Sequence, residues 1–221
     1  TAAPAVDPRL DPKTPEWMES FDRFGAALLD RAQTTDDDGA YEGTLRICSH
    51  AAAGFMDAGR VLETLGVVRM LLAQRKGLVT ASDARRRVHQ EAVSLLLDPG
   101  RLPGLLDGLE DCDCDERAAR FEIVAAHGAA AVPHLVELLV ERLHQTSARR
   151  EVVAALELVG QEAGPGLVDA LREHGKRWNR ITSIIGLVGR LRYRDAETAV
   201  ADFLRHPQQS VREEALTSLF H

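Results

Sequence analysis

The sequence predicts an all-α protein whose second half is built from repeated pairs of helices. From Trp17 onwards, apolar residues recur every three or four positions, which is the spacing of one helix face. No stretch of convincing length alternates apolar and polar residues with the period of two expected of a half-buried strand. From about residue 100 the pattern repeats, and glycines that follow apolar helices lie 32 and 29 residues apart: Gly128, Gly160 and Gly189.

Length, charge and composition restrict the class of protein. The 221 residues carry a net charge of −7 and are 45% apolar, which suits one or two folded domains and argues against disorder. Charged residues or proline interrupt every apolar run before about 18 residues, so no membrane span is predicted. Three cysteines suit a reducing cytosol better than a disulfide framework, so we expect a cytoplasmic protein. The chain begins with Thr1 rather than Met, which fits a processed chain or a piece of a longer one.

The N-terminal part predicts an extended arm followed by helices. Residues 1–16 form the arm, because proline fixes φ and biases its predecessor away from helix, and four prolines fall there: Pro4, Pro8, Pro12 and Pro15. Residues 17–98 match no repeat clearly, so we interpret them as a helical cap or as divergent repeats.

Four helices are predicted within this N-terminal region. The first three cover residues 17–31, 41–55 and 58–74. The first carries one apolar stripe formed by Trp17, Phe21, Phe24 and Leu28. The fourth begins at an N-cap, either Ser82 or Asp83, and runs through Leu97, where Asp-Pro-Gly stops it.

Residues 99–221 predict helix pairs in register with the three glycines. Each glycine closes a first helix, as a C-terminal glycine in the left-handed conformation does. Four positions before each glycine the residue is apolar: Val124, Leu156 and Ile185. Eleven positions before, the residues are Arg117, Arg149 and, in the third copy, Trp178. Pro133 and Pro165 follow their glycines by five residues and suit the first turn of a second helix.

These units resemble the short HEAT repeats of bacterial proteins, the type also found in phycobilisome lyases. In that family a polar N-cap, an arginine, an alanine-rich helix and a glycine precede a second helix that proline often opens. Asp115-Glu116-Arg117 leading to Gly128, the segment from Arg149 to Gly160, and the final incomplete repeat SVREEAL from Ser210 follow this order. Tetratricopeptide and ankyrin repeats fit less well, because their signatures are absent.

The resemblance implies a fold and a class of function. The fold is a right-handed α-solenoid of antiparallel helix pairs, which offers an extended surface without any catalytic group. We therefore expect a non-enzymatic scaffold for protein–protein interaction that needs no cofactor. HEAT-like families also include nucleic-acid-binding proteins, alkylated-DNA glycosylases and bilin-attaching lyases, which remain the alternative function.

The acidic segment at 111–115 resembles a calcium loop in part. Asp111, Asp113, Asp115 and Glu122 occupy loop positions 1, 3, 5 and 12, but Glu116 stands where the sharp turn requires glycine. The simpler interpretation makes Asp115 the N-cap of the following helix and Glu122 an exposed helical residue.

No other pattern predicts a metal or catalytic site. One residue separates Cys112 from Cys114, whereas structural zinc sites use two to four and need four ligands. The eight histidines include no pair with metalloprotease spacing, and His127 is predicted to be a partly buried packing residue. No nucleophile motif and no phosphate-binding loop is present.

The candidate binding residues lie in the third repeat, where the sequence departs from the regular pattern. Between Arg172 and Arg194 there are seven basic residues and only Glu173 as an acidic one. We expect this surface to bind an acidic protein partner, with arginines making planar contacts and a tryptophan as anchor. Those residues are Arg177, Trp178, Arg180, Arg192 and Arg194. A pI of about 5.6 argues against nucleic acid as the main partner.

Overall fold

The protein is all-α. The computed structural model describes residues 15–75, 77–142, 146–174 and 178–220, and these residues contain no β-strand. Residues 1–14 of the predicted arm lie outside the described residues. Its last two residues, Pro15 and Glu16, instead begin the first helix, at a position that proline favours. None of the described helices is both long enough and apolar enough to cross a membrane.

The N-terminal helices match the predicted ones closely. They are α1 (Pro15–Thr34), α2 (Asp38–Asp57), α3 (Val61–Gln74), α4 (Asp83–Leu96) and α5 (Leu102–Leu106). Short 3₁₀ turns at Gly77–Thr80 and Pro99–Arg101 precede α4 and α5.

Short 3₁₀ turns join six of the seven described C-terminal helices two by two. They are α6 (Cys114–Ala126), α7 (Val132–Glu137), α8 (Thr146–Val159), α9 (Gly164–His174), α10 (Trp178–Leu191), α11 (Glu197–Asp202) and α12 (Gln209–Leu219). The 3₁₀ turns that join α6 to α7, α8 to α9 and α10 to α11 are Gly128–Ala131, Gly160–Ala163 and Arg194–Ala196. A π-helical turn, Leu138–Arg142, extends α7.

The chain divides into two compact units. The first contains the described residues up to Pro103 together with Asp107–Ile123. The second contains Gly104–Leu106 and the described residues of Val124–His221.

Side-chain caps and one glycine set the helix ends of the first unit. Asp37 accepts a hydrogen bond from the backbone N–H of Ala40 at 2.8 Å, which starts α2 three residues earlier than its apolar pattern suggests. Ser82 is the N-cap of α4, as predicted. Gly59 adopts a φ of 77°, so α2 ends there and α3 begins at Val61 rather than at residue 58.

The cap of α6 is Asp113, not the predicted Asp115. The carboxylate of Asp113 accepts the N–H of Glu116 at 2.8 Å, the spacing of a side-chain cap. Asp115 lies one residue inside the helix, where its charge still favours the positive end of the helix dipole.

The first unit has its own apolar core. Helix α2 packs against α1, α3 and α4. Its completely buried side chains include Leu45 and Phe55, and the ring of Phe21 from α1 meets Phe55 edge-on with centroids 5.2 Å apart. Of the predicted stripe on α1, Phe21 and Leu28 are buried, whereas Phe24 is 36% exposed.

In the second unit, helices two apart in the chain pack together. Helix α7 contacts α9, α8 contacts α10, α9 contacts α11, and α10 contacts α12. Hydrogen bonds between neighbouring pairs join Ser218 to the carbonyl of Ile185 and Arg190 to the carboxylate of Glu157, each over 33 residues, and Gln161 to the carbonyl of Leu191 over 30 residues. A similar bond joins Ala129 and Glu162. These separations are close to the 32 residues between Gly128 and Gly160.

Two of the repeat arginines have a structural role. Arg117 is buried, at 6% exposure, and its Nη1 donates to the carbonyl of Cys112 at 3.4 Å. Arg212 donates at 2.8 Å to the carbonyls of His206 and Pro207. Each side chain therefore binds carbonyls of the turn that precedes its own helix.

Candidate functional site

The predicted binding residues fall at the two ends of α10. Arg177 lies outside the described residues; Trp178 and Arg180 lie in the first turn of the helix, and their side chains are not described. Arg192 and Arg194 follow its last residue and are exposed. Because α10 has 14 residues, which span about 20 Å, the structure separates the two groups rather than bringing them together.

Helix α10 ends at Arg192 rather than at Gly189, which corrects the predicted register. Arg192 has a φ of 52°, and its N–H donates to the carbonyl of Gly189 at 2.9 Å. The N–H of Tyr193 donates to the carbonyl of Val188 at 3.3 Å. This pair of bonds is a Schellman motif, in which the left-handed position is usually glycine.

The left-handed residues recur with a constant period. Gly128 has a φ of 61° and Gly160 a φ of 72°. The turn that follows α10, which we call the third turn, places Arg192 at the equivalent point, 32 residues after Gly160. In the third repeat an arginine therefore occupies a backbone conformation that glycine occupies in the first two.

Gly189 has a different function, the close approach of two helices. A Cβ at this position would lie 2.7 Å from the Cα of Ser218 in α12, which is too close for any side chain. The hydroxyl of Ser218 donates to the carbonyl of Ile185 in α10 at 2.9 Å. The glycine therefore permits the contact between α10 and α12.

Tyr193 adds a residue to the third turn. The turns after Gly128 and Gly160 become 3₁₀-helical at the glycine itself, whereas here Tyr193 is extended and the 3₁₀ turn begins at Arg194. The Tyr193 ring lies against Gly164, the first residue of α9, where no Cβ would fit. Desolvation and then the carboxylate of Asp195 raise the pKa of Tyr193, so its phenol remains neutral.

A groove of about 280 Å³ opens beside this turn, between the ends of α10 and α12 and the beginning of α11. Its apolar lining residues are Val188 and Val200, which are only 3% and 1% exposed, and the half-buried Leu219, and Gly189 adds backbone. Its polar lining is Arg192, Tyr193, Arg194, Glu197 and Ser218. We call this cavity the third-turn groove.

The arginines of the third-turn groove differ from their basic neighbours in their pairing. Arg190 binds Glu157 at 2.5 Å and Arg172 binds Asp169 at 3.2 Å. Among the described residues, neither Arg192 nor Arg194 forms an ion pair or a side-chain hydrogen bond. Both residues are exposed, so their guanidinium donors are available to a ligand.

Sequence reasoning found Arg192 and Arg194 but missed the rest of the groove. The lining residues come from three helices and share no motif. One signal was present, because a constant period of 32 from Gly128 and Gly160 points to position 192 and marks the third turn as the irregular one.

A second cavity, of about 350 Å³, lies in the first unit beside Tyr41 and Gln74. Its polar groups already bind one another. The Tyr41 hydroxyl donates to Oε1 of Gln74 at 3.1 Å, and Nε2 of Gln74 donates to the carbonyl of Ala32 at 2.9 Å. Arg85 lies over the Tyr41 ring and binds Asp38 at 2.6 Å, so the cavity offers few free groups to a ligand.

The described residues contain no group of three His, Cys, Asp or Glu side chains placed to hold a metal ion. Burial raises the pKa of the Cys48 thiol to about 12, so it carries almost no thiolate at neutral pH. Desolvation also raises the pKa of Cys112. Glu122, the last position of the partial calcium loop, instead binds Arg69 with both oxygens, at 2.7 and 2.6 Å.

Comparisons with known proteins do not identify a family. No family model matches the chain, and no curated protein matches it in sequence. Among solved structures, the chain is similar to an engineered protein from the Northeast Structural Genomics Consortium, with 16% sequence identity and a TM-score of 0.33. The match covers 95% of this chain and 61% of that protein. A TM-score of this size does not establish a shared fold.

Proposed function

We propose that residues 99–221 form a HEAT-like array, a right-handed solenoid of antiparallel helix pairs, and that the protein is a non-enzymatic scaffold for a protein partner. Two observations in the second unit support this proposal. Helices two apart in the chain pack together, and three of the hydrogen bonds between pairs join residues 33 apart. Stacked pairs of this kind bury a common core and leave the turns available for binding.

The partner in this proposal presents an acidic segment with apolar side chains. The observation that carries it is the third-turn groove, whose lining includes two exposed arginines, Arg192 and Arg194, and the half-buried Leu219. Arginine is the cation best suited to planar contacts with carboxylates, and apolar burial adds affinity next to them. Trp178, Arg180 and Arg177, at the other end of α10, form a second proposed contact for a longer partner.

An array of decapeptides tests this function with the whole chain. The peptides vary Asp or Glu and Leu, Val or Phe at each position, and a matched array carries Lys in place of the acidic residues. We expect the labelled protein to bind acidic peptides, and the double change Arg192→Glu with Arg194→Glu to weaken binding at least about tenfold, since each charge-assisted hydrogen bond contributes about 1.5–3 kcal/mol.

Arg205→Glu is the matched control, because Arg205 is an exposed arginine of the same unit that does not line the groove. This variant should bind within about twofold of the wild-type protein, as rim charges outside a contact contribute little. Equal binding to the acidic and basic arrays, or equal losses in the two variants, would refute the proposed function.

A further inference from the structure

We infer that Cys112 and Cys114, at the start of α6, form a redox-active dithiol that reduces small cationic disulfides, with Cys114 as the attacking thiol and Cys112 as the resolving thiol. The pair lies in the first unit, away from the residues of the third-turn groove in the second, so the inference goes beyond the proposed function.

The three cysteines differ in their access to solvent, which restricts the first reaction to one of them. Cys48 is completely buried and Cys112 is partly buried. Cys114, the first residue of α6, is exposed. Because a thiol must reach a sulfur of the disulfide to attack it, Cys114 is the thiol that an external disulfide meets first.

Hydrogen bonds distinguish the two sulfur atoms of the pair. Nη2 of Arg117 donates to Sγ of Cys114 at 3.7 Å, so this sulfur is an acceptor with a cation beside it. Sγ of Cys112 instead donates to the carbonyl of Gly108 at 3.3 Å. A sulfur that accepts from a guanidinium suits the nucleophile, and a thiol that donates its proton suits the group that reacts second.

The turn before α6 brings the two side chains to one face. Asp113 caps α6, and a cap residue normally has extended backbone, which directs the side chains before and after it to the same side. Arg117, which is 6% exposed, links the two residues, because its Nη1 donates to the carbonyl of Cys112 at 3.4 Å and its Nη2 to the sulfur of Cys114.

Residues this close in the chain are within reach of a disulfide bond. Two residues of extended chain span at most about 7.2 Å, and the Cα atoms of a disulfide lie about 4.4–6.8 Å apart. A bond between Cys112 and Cys114 therefore needs little movement of the backbone.

Two exchange steps oxidise the pair. The Cys114 thiolate attacks one sulfur of a disulfide RSSR, breaks its S–S bond and releases RS⁻, which leaves a mixed disulfide between Cys114 and R. The Cys112 sulfur then attacks the Cys114 sulfur, forms the internal bond and releases the second RS⁻. The protein loses two electrons and two protons, and RSSR gains them to become two RSH.

Cys112 is suited to the second step rather than the first. Desolvation and the carboxylate of Glu116 raise the pKa of its thiol against the opposing charge of Arg120, so this thiol stays protonated towards reagents in solution. Once Cys114 carries the mixed disulfide, proximity within one turn replaces a high thiolate fraction. Glu116, which is hydrogen-bonded to the thiol, is placed to accept its proton.

The charges around the pair favour a cationic disulfide. Asp111, Asp113 and Asp115 are exposed carboxylates next to the two cysteines in the chain. Arg120 of the same helix is paired with Glu116 at 2.7 Å. The surrounding field therefore attracts a cation such as cystamine and repels an anion such as glutathione disulfide.

Reaction of the whole chain with cystamine, followed by mass spectrometry and peptide mapping, tests the inference. We expect a transient cysteamine adduct on Cys114 and a final product that has lost two hydrogens within the peptide containing Cys112 and Cys114. Cys112→Ser should stop at the adduct, and Cys114→Ser should react at least about tenfold more slowly. Cys48→Ser is the matched control and should react at the wild-type rate, with circular dichroism to confirm that each variant is folded.

A comparison of cystamine with glutathione disulfide tests the charge preference. Each rate is divided by the rate at which the same disulfide reacts with β-mercaptoethanol, which removes intrinsic reactivity. The ratio should favour cystamine at least about threefold at low salt and fall towards one at about 1 M salt. Asp111→Asn with Asp115→Asn should reduce the preference more than the matched double change Asp30→Asn with Asp36→Asn, at exposed aspartates of the same unit.

Three results would overturn the inference. A first adduct on Cys112, or equal rates for Cys114→Ser and the wild-type protein, would show that Cys114 is not the attacking thiol. A mixed disulfide that persists in the wild-type protein, or disulfide-linked dimers in place of the internal bond, would show that Cys112 does not resolve it. A ratio that favours glutathione disulfide would refute the charge preference. Each of these leaves the proposed function unchanged, because that function depends on the second unit.

Discussion

Arg192 shows how a single residue can be recognised as unusual only by its backbone. Its neighbours Arg190 and Arg194 have ordinary conformations, and nothing in their residue type distinguishes the three. The φ of 52° places Arg192 where a Cβ is unfavourable, and the same turn position is glycine in two other repeats. The conformation therefore has a cost that substitution can measure.

We predict that Arg192→Gly is more stable than Arg192→Ala by about 1 kcal/mol, because both remove the guanidinium but only glycine relieves the left-handed strain. In a chain of this length that difference corresponds to about 2–4 °C in Tm, measured by circular dichroism. Gly160→Ala is the control, because it places alanine at the equivalent left-handed position of the preceding turn. This variant should lose a similar free energy of unfolding, about 1 kcal/mol. If the alanine variant at position 192 were the more stable, the strain argument would fail.

At the scale of the element, Gly189 and Ser218 hold α10 and α12 at close range. The sequence predicts Gly189 as a helix end, because a glycine after an apolar helix usually has that role. Glycine also permits close helix contact, and a sequence does not distinguish the two uses. Only the constant period of 32 identifies position 192 as the turn.

We predict that Gly189→Ala destabilises the protein by roughly 1–3 kcal/mol, since the added Cβ would meet backbone of α12 that cannot rotate away. Thermal unfolding measures the loss. Gly43→Ala is the matched control, because Gly43 lies inside α2 with no atom within 4 Å of the added Cβ. That variant should gain about 0.5–1 kcal/mol from helix propensity. A neutral Gly189→Ala would show that the two helices are not in close contact.

The ion pair between Arg69 of α3 and Glu122 of α6 predicts a pH dependence. The hydrogen bonds from Arg69 lower the pKa of Glu122. A lowered carboxyl pKa contributes stability that is present above the unfolded pKa of about 4.3 and is lost as the pH falls through the folded value. Because the Arg69 side chain is 62% exposed, the contribution is small, about 0.5 kcal/mol.

Glu122→Gln should therefore be slightly less stable than the wild-type protein at pH 7, and the difference should vanish in acid below the carboxyl pKa. Urea midpoints at the two pH values provide the comparison. Glu110→Gln, at an exposed glutamate of the same unit, should show no such change. A stability difference between Glu122→Gln and the wild-type protein that persists in acid would indicate that the substitution removes packing contacts rather than a charge interaction.

At the scale of the whole molecule, the sequence predicted the helices better than the site. Periodicity and caps located most helix ends, because those signals are local; Ser82 and Pro133 are examples. The third-turn groove depends on Val188, Val200 and Leu219, which different helices bring together. Such a site is set by packing between helices, and no local pattern encodes it.

The charge of the whole chain makes a further prediction. With a net charge of −7 at pH 7 and a pI of about 5.6, the protein should be least soluble near pH 5.6, where intermolecular repulsion disappears. Light scattering at equal protein concentration across this range measures the effect. Solubility that changed little between pH 7 and the pI would mean that local patches, not net charge, control association.

The extra residue in the third turn has a practical consequence for protein engineering. Tyr193 lengthens a connection, and the helices on both sides of it, α10 and α11, still contact α9 and α12. Connections between stacked helices can thus be varied in length and chemistry with little penalty to the framework.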